Sequence, residues 1–312
     1  MFVSPSRLKE LGILGMNSRN IDYIGKHNDR SKYPLVDNKL ETKRIAIENN
    51  IKVPKLLGSI DFVAETDKFQ ELIEGVDGFV IKPAQGSGGK GILVITSIKE
   101  GRFYKPNGKE VTTIDVKRHI SNILSGLYSL GGKNDVAMVE NLIAFNPVFD
   151  QFSFEGVPDV RVIVYRGYPA LAMMRLSTSN SDGKANLHQG AVGAGIDILT
   201  GKSVGAVQFN RTIHKHPDTQ AVLSELQVPY WDDILHLSAC CYDMTGLGYL
   251  GADVVLDLNE GPMILELNAR PGLAIQIANQ MGSKIRFDKI DAVCGQHNGP
   301  KERVEAIHEL FG

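Results

Sequence analysis

The chain has 312 residues, 43% of them hydrophobic and 22% charged, enough for one large or two medium domains with a sizeable core. Its formal net charge of −2 offers no global attraction to nucleic acid or an anionic membrane, and no apolar run reaches the roughly 18 residues that span a bilayer. Three cysteines, Cys240, Cys241 and Cys294, fit neither a disulfide framework nor the paired spacing of a zinc site; with no leader-like start, they point to a reducing, cytoplasmic setting.

The opening "SPSRLKELGILG" predicts a short helix capped by Ser4 or Ser6, with Pro5 in its first turn. "LVDNKLETKRIAIENN" predicts a helix from about Asn38, burying Leu40, Ala46 and Ile47 and closed by Asn49 and Asn50. A strand near residues 55–60, a helix over 68–73 and a strand over 78–82 follow. After a glycine-rich loop come the strand "ILVITS" and a hairpin, "RFYKPNGKEVTT", whose Asn107-Gly108 suits a two-residue turn. Val116, Ile120, Ile123, Leu124 and Leu127 recur at helical spacing. Composition changes near residue 136, and beyond it strands dominate around one helix, "WDDILHLSACCYDMTG". "GYLGADVVLDLNEGPMILELN" reads as two antiparallel strands, and Pro300 opens a final helix. This order lacks regular strand–helix–strand alternation, so the expected class is α+β with two lobes.

The stretch "VIKPAQGSGGKGILVI" places Gly86, Gly88 and Gly91 in a G-x-G-x-x-G pattern, but a strand rather than a helix follows it, which removes the dinucleotide-binding reading. Lys90 is not followed by Ser or Thr, which removes the Walker loop. What remains is a glycine flap between two strands, Gly86, Ser87, Gly88 and Gly89 at its centre, whose bare amides can fold over phosphate oxygens; a ligand-free mobile hairpin is the alternative. Lys82 ends an apolar run and calls for an anionic partner.

A second pattern lies near the C-terminus. Glu266 and Asn268 alternate with Leu265 and Leu267, so both oxygen-bearing side chains share one strand face. Asp253 on the neighbouring strand completes three hard donors suited to Mg²⁺, with solvent-facing polar positions as the alternative. Asp257, beside the turn, is the weaker candidate. His188 in "NLHQG" reads as a hydrogen-bonded loop histidine or a group that orders substrate.

With "DNKLETK", "NNIKVP" and "MVENLI", these patterns resemble the ATP-grasp superfamily over roughly residues 35–280, and within it the α-L-glutamate ligase-related, RimK-like group. The resemblance implies a fold of two α+β lobes clamping ATP: a short N-terminal segment over 1–34, an N-terminal lobe with flap and inserted hairpin over 35–138, and a C-terminal lobe with metal site and terminal helix over 139–312. It implies that Lys39 and Lys82 meet the phosphates. Glu140, Asn141, Leu142 and Ile143 would form the hinge against which adenine rests, through main-chain groups of Asn141 or Leu142 and Ile143, and Asp159 would serve the ribose. Arg161, Arg175 and Arg270 would meet the terminal phosphate or a substrate carboxylate, and Asp253, Glu266 and Asn268 would hold Mg²⁺. The implied activity is an ADP-forming carboxylate–amine ligase working through an acyl phosphate, with glutamate as a candidate acid and a peptide, protein or small amine as acceptor. A non-catalytic ATP-binding scaffold and a phosphotransferase of the same fold stand beside it. The chain departs from the pattern in its shortened N-terminal region: 38 residues precede Lys39, too few for a separate core. One wall of the substrate cleft is then left to the hairpin, to the insertion "AFNPVFDQFSFEGVP", to the N-terminal segment, or to a partner protein or second copy in a homo-oligomer.

Overall fold

The computed structural model describes residues 4–86 and 88–312, the side chain of Leu130 excepted. Two compact units emerge: a smaller one from Asn38–Arg44 and Val53–Ala144, and a larger one from the described residues up to Asp37, Ile45–Lys52 and Phe145–Gly312. The expected breaks at 34/35 and 138/139 therefore shift. The N-terminal segment belongs to the larger unit instead of standing alone. The second break falls after Ala144, because the strand that crosses residue 138 is an inner strand of the smaller unit's sheet.

In the smaller unit β1 (Leu56–Ile60), β7 (Ala137–Asn141), β2 (Phe79–Pro83) and β3 (Leu93–Ile95) form an antiparallel sheet in that order. A three-stranded meander, β4 (Ser97–Lys99), β5 (Arg102–Tyr104) and β6 (Glu110–Val111), accompanies it. Tyr104 pairs with Glu110, the Lys105 amide donates to the Lys109 carbonyl and the Lys105 carbonyl accepts from the Gly108 amide, so the hairpin turns through three residues rather than the expected two. Pro106 suits the first corner of an ordinary turn, and Gly108, at φ 76°, takes the left-handed position. The Thr113–Leu124 helix begins with a capping box between Thr112 and Asp115 and buries Val116, Ile120, Ile123 and Leu124. These pack with Ile60, Phe69, Phe79, Ile81, Ile95 and Phe103 into one core, where each large side chain contributes about 1.5–3 kcal/mol by leaving water. Leu127, expected on the same face, lies past the helix end and is exposed.

The Lys39–Glu48 helix forms where expected, closed by left-handed Asn50, but its buried side differs. Thr42, Lys43, Ile45 and Ala46 are buried and Ile47 is 59% exposed, because the buried position at Lys43 is occupied by charge and not by hydrocarbon.

The larger unit is built on a seven-stranded antiparallel sheet: β12 (Arg211–Thr212), β11 (Ser203–Gln208), β10 (Val192–Ile196), β9 (Tyr168–Leu176), β8 (Asp159–Tyr165), β13 (Tyr249–Asp257) and β14 (Gly261–Asn268), in that order. The Trp231–Thr245 helix, closed by left-handed Gly246, and the Gly299–Phe311 helix pack on it. So does the Ala274–Ala278 helix, whose approach leaves no room for a side chain at Gly195: a Cβ there would lie 2.3 Å from the Ala278 carbonyl oxygen. The N-terminal segment starts with the expected Ser4-capped helix, Pro5–Glu10. It is stitched to this unit by Gln276, which bonds both backbone groups of Leu14 (2.8 and 3.0 Å), and by Asn28, which does the same for Tyr249 (2.8 and 2.7 Å). Tyr23 packs against Tyr165 and Phe287. Among the described residues no helix is long and apolar enough to cross a membrane.

Candidate functional site

In the smaller unit, antiparallel β2 and β7 pair Val80 with Glu140, and Lys82, two residues on, shares Val80's face. Lys82 Nζ lies 2.7 Å from Glu140 Oε2. Lys43 Nζ lies 2.9 Å from Oε1 and also donates to the Pro54 carbonyl. All three are buried. Burial pushes the Glu140 carboxyl up, but the charges of Lys82 and Lys43 outweigh it and hold the group below the usual carboxylate range. Burial, against the pull of Glu140, lowers the Lys43 ammonium. The anionic partner that Lys82 requires is thus Glu140, and the cluster carries two ammonium groups for one carboxylate, one positive charge in excess. Lys43 was not among the expected residues. Its signal is its spacing: it follows Lys39 by four residues and so shares that helix face.

Lys39 Nζ donates to the Gly86 carbonyl oxygen at 2.7 Å, at the first base of the glycine loop. Gly86 bridges to Ser129, and the buried Asp135 carboxylate accepts from the Gln85 and Val136 amides. Gly88 and Gly89 have φ of 63° and 73°, and a Cβ at either would meet nothing, so conformation rather than space calls for glycine. Ser87 lies outside the described residues. Glu140 is held by its side chain in the lysine cluster, the Asn141 amide donates to the Lys55 carbonyl, and Leu142 and Ile143 lie past the end of β7.

In the larger unit, register gathers charge on one sheet face. Asp159 pairs with Arg175, Arg161 with Asp253, and Asp253 with Glu266; Asn268 follows two residues later on Glu266's side. Arg161 grips Asp253 through two bonds of 2.7 and 2.6 Å. Arg175 grips Asp159 through two of 2.5 and 2.6 Å and reaches Asp253 Oδ2 at 2.7 Å. Asn268 Nδ2 donates to the same Oδ2 at 3.3 Å. Burial drives the Asp159 carboxyl up to about 6, with Arg175 pulling it back; for Asp253 the two guanidinium groups outweigh burial and hold it low.

Asp159 is buried with both oxygens on Arg175, an arrangement that positions a guanidinium. Arg161 and Arg175 engage Nε and Nη2 with Asp253 and Asp159. Arg270, in contrast, is exposed, its guanidinium carbon 5.3 Å from the Tyr33 ring centroid. His188 is an exposed loop residue whose amide donates to Asn186. Asp257 Oδ1 accepts from the Asn259 and Glu260 amides and so belongs to the turn.

Among the described residues no cluster of three or more His, Cys, Asp and Glu side chains is placed for a metal ion. The expected set has two carboxylates and an amide, and its donors fit Mg²⁺. Glu266 and Asn268 offer hard oxygens from one face of β14. Of the four lone-pair directions of Asp253, Oδ1 uses one, for Arg161, so one direction on that oxygen remains.

The profile of the family described as sugar-transfer associated ATP-grasp matches residues 18–292. No curated protein sequence matches the chain. Among solved structures it is similar to the ATP-grasp ligase PsnB complexed with minimal precursor (12% identity, TM-score 0.45, 87% of this chain and 64% of that one). It is also similar to a RimK domain ATP-grasp protein from Sphaerobacter thermophilus DSM 20745 (14%, 0.45, 83% and 70%) and to D-alanyl-alanine synthetase A from Vibrio cholerae O1 biovar eltor str. N16961 (12%, 0.48, 89% and 66%). The chain spans less than two thirds of the length of PsnB.

Proposed function

Because the chain belongs to the sugar-transfer associated ATP-grasp family, we propose that it is an ATP- and Mg²⁺-dependent carboxylate–amine ligase. The observation that carries this reading is the oxygen-donor set of Asp253, Glu266 and Asn268 on paired strands, beside two arginines that fix Asp253 in place. A sheet face that only needed stability would be as well served by apolar residues as by this buried ionic network.

In the proposed reaction Lys39, Lys82 and the amides of the loop from Gly86 to Gly89 bind the ATP phosphates, Lys82 drawing on the positive charge left over in its cluster. Glu266, Asn268 Oδ1 and Asp253 Oδ1 would hold Mg²⁺, which supplies charge neutralisation at the phosphates. Leu142 and Ile143 offer main-chain groups to adenine. Arg270 is the guanidinium available to the substrate carboxylate. That carboxylate takes the γ-phosphoryl group, giving ADP and an acyl phosphate; an amine then attacks the acyl carbon, forming the amide and releasing phosphate and a proton. Both steps crowd charge onto oxygen, which is the physical reason lysine, arginine and a divalent cation belong here. Glutamate stays a candidate acid by kinship with the RimK-like group. The acceptor candidates are a peptide, a protein or a small amine, and the family's association with sugar transfer is the reason to try amino sugars among them. With the N-terminal segment packed into the larger unit, a second copy or a partner protein is the candidate for completing substrate binding.

The test is a mass-resolved screen of amino acids against amine acceptors, amino sugars included, with ATP and Mg²⁺. A new amide should appear in stoichiometry with ADP and phosphate. ADP release that needs no amine and yields no amide would replace this reading with a phosphotransferase.

A further inference from the structure

The glycine loop is held at both bases and open at its tip. Its first base is fixed by Lys39 on Gly86 and by Asp135 on the Gln85 amide. At its second base, Gly91 stands at φ 75° against the ring of Tyr128, where a Cβ would come within 2.5 Å of ring carbons. The Gly91 carbonyl oxygen accepts from His119 Nε2 at 2.9 Å, and the His119 ring lies 5.6 Å from that of Tyr128. Because a carbonyl can only accept, this bond puts the imidazole proton on Nε2. His119 lies on the Thr113–Leu124 helix at the margin of the face that Val116, Ile120 and Ile123 lock into the core. Between the two bases, Gly88, Gly89 and Lys90 are exposed.

We propose that His119 is a positioning residue for ATP: by tying the Gly91 carbonyl to the rigid Thr113–Leu124 helix, it sets the direction in which the flap's amides point. The inference rests on the ligase reading for its ligand but not for its mechanics. A loop of left-handed glycines has many accessible conformations, and each extra one populated lowers the fraction competent to bind nucleotide. Two anchors about a free tip reduce that number without obstructing the amides. His119 touches neither nucleotide nor reacting atoms; it acts through Gly91.

Two variants separate the hydrogen bond from the packing. His119→Phe keeps a ring against Tyr128 and removes the donor; His119→Gln returns an N–H close to the place of Nε2. Trypsin cleavage after Lys90, followed by mass spectrometry without nucleotide, reads the loop itself. His119→Phe should be cut about five- to tenfold faster than wild type, the range expected for loss of one such bond, with its melting temperature retained, and His119→Gln should return towards wild type. For ATP, His119→Phe should raise KM by a similar factor with kcat little changed, and His119→Gln should restore it. Equal cleavage after Lys90 in wild type and His119→Phe would overturn the proposal. Faster cleavage in His119→Phe with no protection of any form by ATP would keep the anchor and overturn the nucleotide-binding reading instead.

Discussion

Glu140 sits between Lys82 and Lys43, one carboxylate oxygen 2.7 Å from one ammonium and the other 2.9 Å from its neighbour, all three side chains buried. Removing the shared anion leaves two buried cations facing each other. Glu140→Gln should therefore destabilise the protein by about 3–5 kcal/mol. Lys43→Met, which leaves one complete pair, should cost less, and the double variant should cost less than the sum of the two. Urea unfolding of the three variants measures this; strict additivity would mean the residues do not act as a cluster.

Asp253 and Glu266 are opposite each other across β13 and β14 but do different work. Asp253 balances two guanidinium groups, so Asp253→Asn should lower stability by about 3–5 kcal/mol as well as stopping turnover. Glu266→Ala should stop ADP release while the melting curve stays near wild type. Near-normal ADP production by pure Glu266→Ala protein would remove Glu266 from the metal site.

The flap offers a graded test of backbone against packing. Gly88→Ala places a Cβ in open space but at φ 63°, costing about 1–2 kcal/mol of local strain. It should raise KM for ATP and lower global stability by no more than that strain. Gly91→Ala adds a collision with Tyr128 and should lower the melting temperature too. Identical behaviour of the two variants would argue against the anchored-base geometry.

Stability should also depend on pH in a direction that can be worked out. Burial lowers the imidazoles of His27, His119 and His216 from the ordinary value of 6.5. Below that value the unfolded chain binds protons that the native protein resists, so stability falls as pH falls. Asp253, held low, acts in the same sense at more acid pH, whereas Asp159, raised to about 6, opposes it between about 3.8 and 6. Between pH 7.5 and 6 the three histidines outweigh the single Asp159, which is only about half protonated at pH 6. Denaturant titrations at pH 7.5 and 6 should show lower stability at pH 6; equal values would mean that these imidazoles are not shielded.

Periodicity carried much of the architecture. The alternation at Glu266 and Asn268, the apolar repeat from Val116 to Leu124 and the capping serine at Ser4 each follow from local chemistry, and each appears in the structure. Other features depend on residues distant in sequence. Ile47 looks like core and Lys43 like surface until Glu140 is brought up beside the latter. Arg161 and Arg175 read as free cations because their partners, Asp253 and Asp159, are set by strand order, which no local pattern encodes. Asp135 and His119 hold the flap through backbone groups, and backbone acceptors carry no sequence signature at all.

The reciprocal bonds between Gln276 and Leu14, and between Asn28 and Tyr249, have a practical corollary for anyone shortening this chain to a minimal catalytic piece. Cutting at Lys39, where the sequence first looks like a nucleotide binder, would strand two amide side chains and bare the aromatic faces of Tyr165 and Phe287. The trimmed protein would then be expected to aggregate before its chemistry could be assayed.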